Sequence, residues 1–219
     1  FKVKVVKTSI NITKIDKDTM SITPSGEAIL NGAKYMLYDQ NMNEIKELEI
    51  QNNQATIENI YFGKYYLKEI KAGTGYTLDN KVYEINIDNS NNAVDLSLQN
   101  EVIKKKITIN KQYGENNSFH NEENIEFEIY DKNNNIIETI RTNKFGIAEI
   151  ILPYGEYTII QKNTTEGYHK VEPFKINVED IEDEVIELKD YKIPVPDTNT
   201  NILLQMLLSI FKCLLIIIC

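Results

Sequence analysis

Lys14, Glu69 and Asn100 are three polar residues on strand faces otherwise meant for a core. Side chains alternate along a strand, so residues two apart share a face. Ile10, Ile12 and Lys14 therefore lie on one side of INITK, with Asn11 and Thr13 on the other. Tyr65, Leu67 and Glu69 share a face of the segment GKYYLKE. Val94, Leu96, Leu98 and Asn100 share a third, while Asp95, Ser97 and Gln99 point out. An amine, a carboxylic acid and an amide are thus each aimed inward at the end of an apolar series. Burying an unpaired amide costs about 2–7 kcal/mol, and an unpaired charge costs more. Such residues are tolerable only where they meet. Three readings stay open on periodicity alone: a buried Lys–Glu ion pair with a hydrogen-bonded Asn, strand ends that reach water, or chemistry among the three groups.

The elements that must position them are strands. The stretch Gly63 to Tyr76, GKYYLKEIKAGTGY, is a glycine turn, an alternating strand, and a second glycine turn ending on tyrosine. Ala33 to Asp39, Ala55 to Ile60, Val82 to Ile87 and Val94 to Asn100 read as further strands, and Asp16 to Gly26 as turn chemistry. The plan then repeats. Gly155 to Tyr168, GEYTIIQKNTTEGY, returns 92 residues after its counterpart (155 − 63), and IEFEIYD follows AKYMLYD at the same spacing (131 − 39). ITINK ending at Lys111 matches INITK, and VIELKD ending at Asp190 matches DLSLQN. The loop after the first strand is five residues shorter in the second copy. Short strands divided by Gly and Asn turns predict two tandem all-β sandwich modules. Expected boundaries are 1–8 for the end of a preceding module or linker, 9–102 and 103–192 for the two modules, and 193–219 for the tail. The lysine run 104–106 reads as the connector.

The chain has 219 residues, and 42% hydrophobic content supports packed cores. A net charge of −9 argues against a nucleic-acid partner. Both cysteines, Cys213 and Cys219, lie in the apolar tail, so the globular part has no disulfide. The opening FKVKVV reads as the middle of a strand without an initiator Met, so the chain is expected to be a piece of a longer precursor. Asp131, Asn133 and Asn135 have calcium-loop spacing, but Ile136 occupies the glycine position and no glutamate closes the loop, which favours a hairpin turn. No metal site and no cofactor are expected.

INITKIDKDT, NGAKYMLYD, GKYYLKEIKAGTGY and LSLQN, in that order, resemble the Cna B-type or SpaA-like domain of Gram-positive pilins and adhesin stalks. The resemblance covers nearly all of residues 9 to 102 and implies an Ig-like or prealbumin-like β-sandwich. It further implies an intramolecular isopeptide bond between Lys14 and Asn100, assisted by Glu69. The residue types suit that chemistry. An apolar site favours a neutral amine, which can act as nucleophile, and a protonated acid, which can polarise the Asn100 carbonyl and shuttle the proton that lets ammonia leave. This is a single self-modifying event, so the protein is not expected to be an enzyme. In the second module Lys111 is in place, but Gln161 stands at the glutamate position and Asp190 at the asparagine position. Aspartate can serve as electrophile with loss of water. Gln161 cannot donate and recover an acidic proton, so this module is expected to stay uncrosslinked and to unfold first.

After Lys192 the chain reads IPVPDTNTN, then eighteen mostly Leu and Ile residues from Ile202 to Cys219. As a helix these would span about 27 Å, just enough for a hydrocarbon core. The order resembles a sortase sorting signal, with Val195, Pro196, Asp197, Thr198 and Asn199 as an LPxTG-like pentapeptide cut after Thr198. Val195 replaces Leu and Asn199 replaces Gly, and a plain transmembrane anchor is the competing reading. The expected protein is a stalk at the cell surface, anchored in the cell wall, whose partners are a sortase and peptidoglycan. Its rivals are a pilin subunit polymerised by a sortase and an extracellular ligand-binding module. A host glycan or matrix protein would be met through a region before Phe1.

Overall fold

The computed structural model describes residues 7–88 and 93–194. The expected C-terminal helix, the sorting motif Val195 to Asn199 and most of the stretch 1–8 lie outside the described residues. Among the described residues the chain is all β, with no helix.

In the first half, β1 (Thr8–Asp16) lies between β4 (Gln54–Ile60), antiparallel to it, and β7 (Ala93–Asn100), parallel to it. A second sheet has the order β3 (Glu44–Glu49), β2 (Lys34–Tyr38), β5 (Gly63–Lys71), β6 (Val82–Ile87), all antiparallel. Ile10, Ile12, Ile57 and Leu98 of the first sheet pack with Tyr35, Leu37, Leu67 and Ile85 of the second in one buried core. The alternation that sequence patterning demands is realised in β1, whose even-numbered residues are all buried.

The second half repeats this arrangement. β12 (Ile147–Pro153), β8 (Lys104–Glu115) and β15 (Glu184–Tyr191) form one sheet, with β8 parallel to β15 and the short β9 (Ser118–Asn121) paired to its end. β11 (Ile136–Arg141), β10 (Glu126–Asp131), β13 (Gly155–Gln161) and β14 (Phe174–Val178) form the other. Ile107, Ile109, Phe127, Ile129, Ile159 and Ile176 fill the core between them. The hairpin joining β10 to β11 is the turn expected at Asp131, whose carboxylate accepts from the Asn133 and Asn135 amides.

Three sequence expectations need correction. Lys104 to Lys106 are the start of β8 and no loose connector: Lys105 is nearly buried beside Asp180 at 3.0 Å. Asp16 itself ends β1 and is fully buried, so the turn read over Asp16 to Gly26 begins one residue later, at Lys17. β3, missed in the sequence, exposes five of its six residues as an edge strand and so lacks the apolar alternation that reveals one.

The two modules meet in a third apolar cluster of Ala28, Leu30, Tyr76 and Val102, against which Tyr154 of the second module packs. Backbone bonds stitch the seam: Glu27 N donates to Tyr154 O, Tyr154 N to Ile103 O, and Ile103 N to Gly75 O, each at 2.8 Å. Lys104–Asp18 at 2.6 Å and Lys132–Glu27 at 3.0 Å add ion pairs across it. Gly75 has φ of +78°, and a Cβ there would stand 2.6 Å from the Tyr154 ring. Both the backbone and the close approach require glycine.

Asp16 organises the loop on the same side of the seam. Its carboxylate accepts from the Asp18, Thr19 and Ser25 amides and from the Tyr76 hydroxyl. Burial pushes this acid up, but the Ser25 amide, the Tyr76 hydroxyl and the other two amides outweigh it and hold the carboxyl below its usual range. The stability it contributes is present above the unfolded-state value of about 3.9 and is lost as pH falls through the lower folded-state value. Asp16→Asn should therefore lower the melting temperature at neutral pH and flatten its fall on acidification below pH 4. Gly75→Val should destabilise the full chain by about 1–3 kcal/mol through the strained φ alone, read as a drop in the thermal midpoint.

Candidate functional site

Both modules carry a buried polar cluster at the corresponding end of the first strand. The parallel pairing of first and last strands creates it. β1 and β7 run side by side with Lys14 opposite Leu98 and Asp16 opposite Asn100. Lys14 and Asn100 therefore end up two registers apart on the same inward face. β5, in the facing sheet, brings Glu69 to them, and β2 adds Tyr35, which pairs with Glu69 across the strands. Lys14, Glu69 and Tyr35 are fully buried and Asn100 is 2% exposed.

Lys14 Nζ donates to Glu69 Oε1 at 2.9 Å and is hydrogen-bonded to Asn100 Oδ1 and the Tyr35 hydroxyl. Asn100 Nδ2 donates to Glu69 Oε2 at 2.8 Å and Oε1 at 3.0 Å, and to Thr77 O at 2.9 Å. Glu69 also accepts from the Asp79 amide at 2.7 Å and from Tyr35 at 3.1 Å. The three sequence-selected residues thus touch, and the strand-end-in-water reading is excluded. Desolvation lowers the lysine, against the opposing pull of Glu69, so the neutral amine is more accessible than in water. Burial followed by the Glu69 charge pushes the Tyr35 phenol far up, which keeps it a proton donor. Glu69 faces the amide nitrogen and not the carbonyl oxygen. That position suits delivery of a proton to the leaving nitrogen, and does not suit polarising the carbonyl. A surface groove beside the cluster is lined by Thr77, Asp79, Tyr83 and Asn100.

The second cluster is built on the same register, with Lys111 opposite Leu188 and Asp190 opposite Tyr113. Lys111 Nζ stands 2.7 Å from Asp190 Oδ1, and both are fully buried. Gln161 occupies the Glu69 place and donates to Asp190 Oδ2 at 2.6 Å. Glu122 was not singled out in the sequence. It is 1% exposed and brings Oε2 to 2.8 Å from Lys111 Nζ. Counting back by the 92-residue spacing, Glu122 stands where the first module has Leu30, and Thr164 where it has Ala72. A carboxyl absent from the Gln161 position therefore stands against this lysine from the loop before β10. Its oxygen Oε2 and Asp190 Oδ1 are both buried and accept no aligned hydrogen bond. Lys111 instead donates to Gln112 O at 2.9 Å. Lys111 thus has two carboxylate oxygens at ion-pair distance, 2.8 and 2.7 Å, with one amine between them.

Elsewhere the two modules diverge. Tyr76 bonds Asp16 in the first, whereas its counterpart Tyr168 meets Tyr113 edge-on at 5.0 Å between ring centres. No group of His, Cys, Asp and Glu among the described residues is arranged to hold a metal ion.

Comparison with known proteins gives this geometry a family. The chain is similar to the Bacillus anthracis TIE protein, at 27% identity and a TM-score of 0.70, over 85% of this chain and 34% of that one. It thus spans about a third of that protein's length. It shares its fold with the C-terminal fragment of the pilus adhesin SpaC from Lactobacillus rhamnosus GG, at 13% identity and a TM-score of 0.55, over 87% of this chain and 99% of that one. GBS52, the minor pilin of Streptococcus agalactiae, matches at 14% identity and a TM-score of 0.43, over 87% and 98%. No curated protein matches. The model of the SpaA prealbumin-like fold domain matches residues 8–102 and again residues 105–192, so the chain belongs to that family, in two tandem copies.

Proposed function

We propose that this chain is a stalk segment of a Gram-positive cell-surface protein, stiffened by a bond it forms within itself. The observation that carries this reading is the buried contact of Lys14, Glu69 and Asn100 at the end of paired first and last strands. The neutral Lys14 amine attacks Asn100 Cγ. One amine proton passes to Glu69 Oε1, Glu69 Oε2 delivers a proton to Nδ2, and ammonia leaves. An amide then joins the two side chains, and Glu69 ends as it began. Proximity supplies much of the barrier lowering, because amine and amide are held in contact without water between them. The groove beside Asn100 gives ammonia a way out.

The product closes a loop of 86 residues (100 − 14). By analogy with a disulfide this is worth roughly 4–5 kcal/mol. The chemistry happens once per molecule, so the role is structural and not that of an enzyme. In this reading the segment from Val195 to Asn199 is cut after Thr198 by a sortase and joined to peptidoglycan, with the apolar stretch behind it holding the precursor in the membrane until then. A region outside this chain meets the host glycan or matrix protein, while the stalk itself binds no ligand.

Two measurements test this. The purified full chain should give a peptide joining Lys14 to Asn100, lighter by one ammonia than its two parts, and Glu69→Gln should leave those parts separate. Unjoined peptides from the wild-type protein after long incubation would refute the bond. Wall digests of the native organism should yield a chain ending at Thr198 on a peptidoglycan fragment. Recovery of Cys219 in detergent-extracted membrane protein would instead establish a plain anchor.

A further inference from the structure

We infer that Glu122 is the catalytic acid of a second, water-releasing crosslink, between Lys111 and Asp190. This rests on the reading that apposed lysine and acyl side chains condense in these modules, but it assigns the proton carrier to a residue on a different element. Six residues make the case. Glu122 Oε2 lies 2.8 Å from Lys111 Nζ, and Nζ lies 2.7 Å from Asp190 Oδ1. The other Glu122 oxygen, Oε1, accepts from the Thr165 amide at 2.7 Å and lies 3.3 Å from Thr164 Oγ1. Thr164 Oγ1 in turn is 2.5 Å from Asp190 Oδ2, which Gln161 Nε2 also contacts at 2.6 Å. Glu122 thus reaches the nucleophile with one oxygen and, through one hydroxyl, the departing oxygen with the other.

The step balances on these atoms alone. With the lysine charged and both acids ionised, the set holds three protons. One moves from Nζ through Glu122 and Thr164 to Asp190 Oδ2, giving a neutral amine and a carboxylic acid. Nζ attacks Cγ, and Oδ1 becomes the amide oxygen. A second amine proton goes to Glu122 Oε2. The Glu122 carboxyl, now neutral, turns to present that proton to Thr164 Oγ1, which takes it up as the hydroxyl's own proton completes water at Oδ2, and Glu122 is left ionised. One N–C bond forms, one C–O bond breaks, and the third proton stays on the amide nitrogen. Condensation also resolves the electrostatics of the site. One cation faces two carboxylates there, whose near oxygens lack aligned hydrogen bonds. The product retains only the Glu122 charge, held by the Thr165 amide and Thr164.

Four changes from the first module support one another in this account. Glu69 becomes Gln161, which keeps a donor on the electrophile but gives up the acid. Leu30 becomes Glu122, which restores the acid from the loop before β10, and Ala72 becomes Thr164, which links the two. Asn100 becomes Asp190, whose leaving oxygen needs the proton that this link delivers.

The test is tandem mass spectrometry of digests of the full chain. Wild type should yield a peptide joining Lys111 to Asp190, lighter by one water than its two parts. Glu122→Gln keeps the size and the Thr165 contact and should reduce the joined fraction at least tenfold. Thr164→Val, which keeps the bulk, should slow joining severalfold. Separate Lys111 and Asp190 peptides in the wild type would overturn the inference, as would joining at the wild-type rate in Glu122→Gln. Should Glu122→Gln fail to fold, Thr164→Val decides, and an unchanged rate there overturns the relay. Loss of ammonia reports the Lys14 bond and loss of water this one, so either can fail without the other.

Discussion

A lysine side chain in a dry core is the constraint from which the rest follows. Each module threads its first strand between two neighbours and ends the buried apolar series on a lysine, Lys14 or Lys111. A buried charge without a partner costs several kcal/mol even after relaxation. The fold must therefore deliver polar groups to that one point from other strands. The parallel last strand brings an amide or a carboxylic acid, in the same register in both modules. The facing sheet brings a glutamate or a glutamine. Where the facing sheet provides no acid, a loop does. In both modules a carboxylate stands against the lysine amine, and the element that carries it differs.

That freedom explains what the sequence revealed and what it hid. Lys14, Glu69 and Asn100 were legible because each terminates a period-two apolar series, where a polar residue stands out. The repeat was legible because Gly63 and Gly155 begin matching strands at a fixed spacing. Glu122 was hidden because it lies in HNEEN, a run of polar residues with no periodicity to give a face. Glu123 beside it is exposed, and nothing local separates the two. Tyr35 sits on an inward face among apolar residues and reads as core, which it is; only the geometry shows its hydroxyl against Lys14 and Glu69. Asp16 heads the segment read as turn chemistry, and its carboxylate is the buried cap around which that turn is wound.

The seam between the modules shows a different economy. No linker of appreciable length separates β7 from β8, and the backbone at Gly75, Ile103 and Tyr154 continues hydrogen bonding across the join. Apolar packing of Leu30, Tyr76 and Val102 then fixes one module on the other. The lysine run that looks like a hinge in the sequence instead pairs with acids on both sides, Asp18 in one direction and Asp180 in the other.

The parallel pairing of first and last strands has a mechanical consequence. Tension applied to the two ends of a module enters at the start of its first strand and leaves at the end of its last. Without a covalent tie it would slide those strands lengthwise, loading the whole ladder in shear before the sheets part. With the tie at the far end of the first strand, the pull runs along β1, crosses one amide and exits directly into β8. Everything between Lys14 and Asn100 is then bypassed, as a coil of rope is bypassed by a shackle at its neck. The second module repeats the arrangement from β8 to Tyr191. With both proposed ties in place, the taut path through the two modules would be three short backbone runs, 8–14, 100–111 and from 190 onward, joined by two side-chain bridges, and the residues between would carry none of the load.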